Sequence, residues 1–113
     1  MACQAADRIA VRTHDRVLLV RTAEIDWVEA CGNYVTLHVG RERHLLRRTM
    51  SRLHDCLDPN LFFRIHRSHI VNVERIRELQ PLDNGEWLVI LSDGVRLTLS
   101  RSHREQLQTR LGF

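Results

Sequence analysis

Apolar and polar residues alternate in short runs along most of this chain. Ile9 with Val11, then residues 17–20, then Ile25, Trp27 and Val28, and finally Val35, Leu37 and Val39 at strict period two, form the pattern of half-buried strands. Gly32 separates two of these runs and Gly40 leads into another, residues 43–48, so tight turns are expected between them. Two segments follow helical spacing instead. Met50, Leu53 and Leu57 come after Thr49, which can cap a short helix that Pro59 ends. Leu107 and Leu111 are expected on one face of a terminal helix over residues 101–111, with Ser100 as cap, Ser102-His103-Arg104-Glu105 as a competing capping box and Gly112 as stop. Between the helices, Asn84-Gly85 and Asp93-Gly94 divide apolar runs 76–82, 87–91 and 95–99, which predicts a three-stranded meander with type I′ turns.

Residues 62–72 break the alternation. Phe63 and Ile65 are expected to point one way while Arg64 and His66 point the other. Four polar residues, His66-Arg67-Ser68-His69, then follow with no Gly or Pro before Ile70-Val71-Asn72. A short cationic edge anchored by apolar neighbours suits contact with an anionic partner.

Composition narrows the picture. With 113 residues and 43% apolar content, residues 1–113 make one domain with a real core and are too short for two. No apolar run reaches about 18 residues, so no membrane insertion is expected. The start, Met1-Ala-Cys-Gln-Ala-Ala-Asp7-Arg8, lacks a secretory signal, and a cytoplasmic location is expected. Cys3, Cys31 and Cys56 are odd in number and widely spaced; they read as reduced thiols, with Cys31 and Cys56 as small core or near-core residues. Net charge is only +3, but its distribution is uneven. Residues 41–52 carry five Arg against one Glu, 64–77 four against one, and 96–113 four against one, while 22–32 and 78–95 carry acids and no Arg. Three basic blocks can fold into one basic face, the footprint of nucleic-acid binding, or into a mixed solvated surface. All 17 cationic side chains are Arg, which suits phosphate and guanine but is explained more simply by a GC-rich genome.

The motifs exclude several classes. No helix-turn-helix pair, basic zipper or zinc-finger spacing is present, so any DNA contact must come from loops and strand ends. No nucleophile elbow, P-loop or dinucleotide fingerprint occurs, and no enzyme is expected. His66-x-x-His69 with Cys56 lacks the second ligand pair that structural zinc needs, so neither metal nor cofactor is expected. Gly32-Asn33-Tyr34 offers an amide and a phenol for base edges or phosphates, or simply a hairpin edge. Arg101 sits where the last helix disfavours a cation, and Ser100 and Ser102 beside it could ligate a phosphate that reverses that cost. An RNA or single-strand binder would need exposed stacking aromatics, and aromatics make up only 5% of the chain.

Four segments in order resemble the LytTR family of bacterial DNA-binding domains. They are Ile25-Asp26-Trp27-Val28-Glu29-Ala30-Cys31-Gly32-Asn33-Tyr34-Val35; the Leu53/Leu57 helix leading to Phe62-Phe63-Arg64-Ile65-His66-Arg67-Ser68; Ile70-Val71-Asn72 with Ile76; and Ser92-Asp93-Gly94 leading to Leu99-Ser100-Arg101. The resemblance runs from about Ile9 to Leu111 and implies a mainly β fold: an elongated β-β-β sandwich of about ten short antiparallel strands with two short helices. It further implies a transcriptional regulator that binds double-stranded DNA with repeated half-sites, through loops in successive major grooves and as a homodimer on DNA. A receiver or membrane-sensor partner would supply the input. Carried over residue by residue, Tyr34, Arg67 and Arg101 reach bases, while Asn33, His66, Ser68, Ser100, Ser102 and Arg104 hold the backbone. Asn72 fixes the turn beneath the contact loop. His69 replaces an aromatic and Thr98 a proline. The alternative is a protein-interaction module whose Arg-rich face lacks DNA specificity.

Overall fold

The computed structural model describes residues 7–113; Cys3 and most of the segment inspected for a leader lie outside the described residues. The alternating runs form ten strands in three antiparallel sheets. The hairpin of β1 (Arg8–Arg12) and β2 (Val17–Arg21) covers one face of a five-stranded sheet. That central sheet has the order β5 (Glu42–Leu46), β4 (Tyr34–Val39), β3 (Trp27–Cys31), β7 (His69–Asn72), β6 (Phe62–His66). The meander of β8 (Ile76–Pro81), β9 (Trp87–Leu91) and β10 (Arg96–Leu99) covers the other face. Helix α1 (Met50–Cys56) joins β5 to β6, and α2 (Arg104–Leu111) follows β10 through a 3-10 turn at Arg101–His103. The described chain extends 47 × 32 × 24 Å, so the elongated three-layer β arrangement is present.

Period-two alternation in the central strands builds two cores at once. Val28, Val35, Leu37 and Ile70 face Ile9, Val11 and Val20 of the hairpin and Leu53 of α1. Trp27, Ile65 and Val71 face Val89, Leu91, Leu97, Leu99 and Leu107. Each such buried side chain contributes about 1.5–3 kcal/mol over its exposed state. Thr49 caps α1 as expected, its Oγ1 accepting from the Arg52 N–H.

Several local expectations are corrected. The meander turns are not type I′, because no described residue except glycine has positive φ. Asn84 Oδ1 accepts from Glu86 N–H and Asp93 Oδ1 from Val95 N–H, bonds that each residue makes at negative φ. The loops therefore have three residues, closed by Gly85 at φ +83° and Gly94 at φ +90°. In α2 only Leu107 is buried; Leu111 is exposed, and Phe113 packs against the Trp87 ring at 4.9 Å instead. The expected side-chain caps of that helix are absent, since the Ser100 and Ser102 hydroxyls turn to His103 Nδ1 at 2.7 and 3.2 Å. Gly112 does end it, donating to the Gln108 carbonyl. Cys31 is exposed at the end of β3, not near the core, and buried Cys56 is disulfide-bonded where a free thiol was expected.

The polar run after β6 has a concrete explanation. Arg64 pairs with Ile70 and His66 with His69, leaving Ile65 as an extra residue in a β-bulge. The bulge turns His66 toward His69, on the side of Ile65 and Trp27, so Arg64 and His66 do not share a face as expected. Arg67 and Ser68 are then the whole loop of a hairpin that contains no glycine.

Candidate nucleic-acid interface

The register of the central sheet brings two loops to one end. Cys31 opposite Tyr34 closes β3–β4 around Gly32-Asn33, and His66 opposite His69 closes β6–β7 around Arg67-Ser68. Because β3 pairs with β7 with Glu29 opposite His69, these turns are neighbours, and Ala30 N–H donates to the Ser68 carbonyl at 2.9 Å. The third point comes from a different sheet. Ser100 N–H donates to the Ile65 carbonyl at 2.8 Å, which docks the start of the last helical segment beside the bulge. All three segments singled out in the sequence thus converge.

Their side chains differ in freedom. Asn33, Arg67, Arg101, Ser102 and Arg104 are exposed, and Tyr34 is 40% exposed. Gly32 takes φ +61° as the first loop residue, which lets Asn33 and Tyr34 follow in ordinary backbone. His66 and Ser68 are half-buried and bonded to one another, Ser68 N–H donating to His66 Nδ1 at 3.1 Å. That bond puts the proton of a neutral His66 on Nε2. The Ser100 and Ser102 hydroxyls already bond with His103, so they are less free than expected. Arg104 donates from Nη1 to the Gly85 carbonyl at 3.2 Å, and the Arg101 stem crosses Gly85 so closely that an added Cβ would meet its Cδ at 3.1 Å.

Electrostatics favour an anion here. Asp26 pairs with Arg75 at 2.8 Å and Glu29 with His38 at 3.0 Å. Among the described residues, Arg47, Arg48, Arg52, Arg64, Arg67, Arg101 and Arg104 form no ion pair. Arg47, Arg48 and Arg52 were not among the residues singled out in the sequence. They line a surface cleft with Asn33 and Thr49, so the second half of the basic block over 41–52 joins the same face, while Arg43, opposite His38, lies toward the other end of β4. That block was the available signal. Asn72 is fully buried at the far end of β7, donating to the Ile25 carbonyl and accepting from Glu74 N–H. It is a brace, but not beneath the Arg67 turn as expected.

Imidazoles pack under the face. His38 stacks on Trp27 at 3.8 Å, and His69 meets the Trp27 edge at 5.6 Å. Burial, with His66 nearby, holds the His69 pKa below its ordinary value against an opposing pull from Glu29. Burial, then Arg64, His66 and His54, likewise lower that of His103. The His66 and His69 rings lie 5.2 Å apart, and no set of three or more metal-ligating side chains forms among the described residues.

A β scaffold that gathers three loops and seven unpaired arginines at one end defines a loop-presenting domain for an anionic polymer. The LytTr DNA-binding domain profile matches residues 15–112, and the chain belongs to that family of DNA-binding domains, which are not enzymes. The chain is 26% identical over 113 residues to the Transcriptional regulatory protein LytR of Staphylococcus aureus (strain N315), covering 100% of this chain and 46% of that protein. It is 29% identical over 108 residues to the Sensory transduction protein LytT of Enterococcus faecalis, covering 96% and 45%. The chain therefore spans less than half the length of these curated relatives. A solved LytTr DNA-binding domain from Bacillus cereus, 23% identical, shares the fold with a TM-score of 0.85 over 96% of this chain and 100% of that one. No described helix is long and apolar enough to cross a membrane.

Proposed function

We propose that the chain is the sequence-specific output domain of a cytoplasmic transcriptional regulator, binding double-stranded DNA by loops laid in successive major grooves. The observation that carries this reading is the convergence of the Asn33, Arg67 and Arg101 segments on one end of the central sheet, with no carboxylate paired to their arginines among the described residues. Arg67 and Arg101 donate to guanine N7 and O6, and Tyr34 makes the third base contact. Asn33, His66 through Nε2–H, Ser68, Ser100, Ser102 and Arg104 hold phosphates, joined by Arg47, Arg48 and Arg52 around the cleft at Asn33. Two copies occupy repeated half-sites, and a receiver or membrane sensor supplies the input. The similarity to proteins named as a transcriptional regulator and a sensory transduction protein supports regulation by signal.

Random-site selection with sequencing tests the proposal, and a repeated duplex motif is the expected outcome. Arg101→Ala should then weaken the selected site by about 1–3 kcal/mol and relax preference at one base pair. Equal losses on selected and scrambled duplexes would refute base reading by Arg101. Selection of no motif would leave an interaction module for an acidic partner as the better description.

A further inference from the structure

Arg64 is a half-buried cation with no ion pair among the described residues. It lies on β6, and its side chain turns toward α1. Nη2 donates to the Arg67 carbonyl at 2.6 Å and Nη1 to Ser51 Oγ at 3.3 Å, while Nε is buried without a partner among the described residues. No described carboxylate pairs with it. Arg64, His66 and His54 each act to disfavour the proton of His103, so basic groups gather between β6 and the start of the last helical segment. A guanidinium partly removed from water costs stability except as far as its hydrogen bonds offset the lost hydration.

Its main acceptor gives a reason for the arrangement. The Arg67–Ser68 turn has no glycine or proline to set its shape and is held by bonds to its peptide groups. Arg64 takes the Arg67 carbonyl, His66 Nδ1 takes the Ser68 N–H, and Ala30 N–H takes the Ser68 carbonyl. The Arg67 carbonyl is the oxygen of the peptide group that links Arg67 to Ser68. Fixing it sets the direction in which the Arg67 side chain leaves the turn. A carboxylate next to Arg64 would also draw the Arg67 guanidinium back onto the protein. A cationic lock without an acid holds the backbone and leaves the side chain free.

We infer that Arg64 is the positioning residue of the interface: its charge-assisted bond to the Arg67 carbonyl orients Arg67 toward the base edge. The inference rests on the reading of Arg67 as a base contact, and a double-mutant cycle separates the two. Arg64→Met, Arg67→Ala and the double variant of the full chain are titrated with the duplex recovered by random-site selection and with a scrambled duplex of equal length. Arg64→Met should lower the ratio of selected to scrambled affinity by about five- to tenfold, with the loss concentrated at the base pair that Arg67→Ala relaxes. In the Arg67→Ala background the same substitution should change that ratio by less than about twofold, because the residue acted upon is gone. Arg64→Lys, which keeps the charge without the fork, should retain the salt dependence and lose most of the discrimination.

Equal weakening of both duplexes by Arg64→Met, or losses that multiply in the double variant, would overturn the inference. Full discrimination in Arg67→Ala alone would refute the base-contact reading and take this inference with it. Circular dichroism melting accompanies each variant. Should Arg64→Met fail to fold, the cycle is run with Arg64→Lys and Arg64→Gln, which keep a donor in place, and the same two ratios decide.

Discussion

Asn72 offers the sharpest division between a residue that builds the interface and one that touches DNA. Its side chain is fully buried, with Nδ2 donating to the Ile25 carbonyl at 2.9 Å and, more weakly, to the Ala23 carbonyl at 3.4 Å. Its Oδ1 accepts from Glu74 N–H at 3.0 Å, capping the 3-10 turn Val73–Arg75. Asn72→Ala removes two good hydrogen bonds, each contributing about 0.5–1.5 kcal/mol net. It also strands the Ile25 carbonyl in a fully buried residue, at a cost of about 1–3 kcal/mol. These terms overlap, since the desolvation penalty includes the bond lost, so the expected destabilisation is about 2–4 kcal/mol. Asn72→Asp should be worse: it keeps the acceptor for Glu74 but sets a carboxylate against two carbonyl oxygens. Urea unfolding followed by circular dichroism at neutral pH measures both. Duplex titration at a temperature where the variants stay folded should show wild-type discrimination. Stability within about 0.5 kcal/mol of wild type, the range of an unremarkable surface change, would refute the brace. Normal stability with lost discrimination would make Asn72 a contact.

Arg104→Ala should weaken selected and scrambled duplexes alike and lower the slope of log affinity against log salt by about one, as expected for one phosphate contact; loss confined to the selected duplex would refute that role. Gly85→Ala should cost about 1 kcal/mol in urea unfolding, because φ is +83° there. It should also reduce discrimination, since its new Cβ crowds the Arg101 stem; an unaltered DNA preference would show that the stem has room to move. Burial lowers the His69 pKa, so the folded chain takes up that proton less readily than the unfolded chain. Its stability contribution is then intact above the unfolded value near 6.5 and declines as pH falls below it. His69→Phe should flatten that decline in urea midpoints between pH 7.5 and 5.5, and an unchanged decline would refute the assignment.

How much of this was legible depended on whether a feature was local. The strands were, because period-two alternation in Val35, Leu37 and Val39 has one physical meaning when one face meets a core. So was the Thr49 cap, which needs only a side chain within reach of an N–H three residues on. The turn type was not: whether Asn84 takes positive φ depends on its own bond to Glu86, which the dipeptide does not reveal. Nor was the bulge at Ile65, since an extra residue is defined only against its partner strand. The site divided in the same way. Tyr34, Arg67 and Arg101 stood out through family-like motifs, whereas Arg47, Arg48 and Arg52 belonged to a basic block whose direction only the fold decides. Arg64 was grouped with His66 by alternation, and the bulge separated them.

The bulge also decides how the three loops are held relative to one another. β6 is the strand that puts Phe62 into the core under the β1–β2 hairpin and Ile65 into the core under the meander. The Asn33 turn rides on strands whose Val28, Val35 and Leu37 pack in the first core, and the Arg101 segment follows β10, whose Leu97 and Leu99 pack in the second. The Arg67 turn joins β6 and β7, which, like β3, carry residues in both cores: Phe62 and Ile65, Ile70 and Val71, Val28 and Trp27. The Asn33 turn is tied to it through the β3–β7 ladder, which the Ala30 N–H bond to the Ser68 carbonyl extends, and the Arg101 segment through the Ser100 N–H bond to the Ile65 carbonyl. Distortion at Ile65 therefore displaces the Arg101 segment relative to Arg67, while the β3–β7 ladder keeps the Asn33 turn in place. Close packing makes such shifts discrete rather than graded. The central sheet, with one core on each face, thus carries two of the contact loops on a shared ladder and receives the third at the bulge.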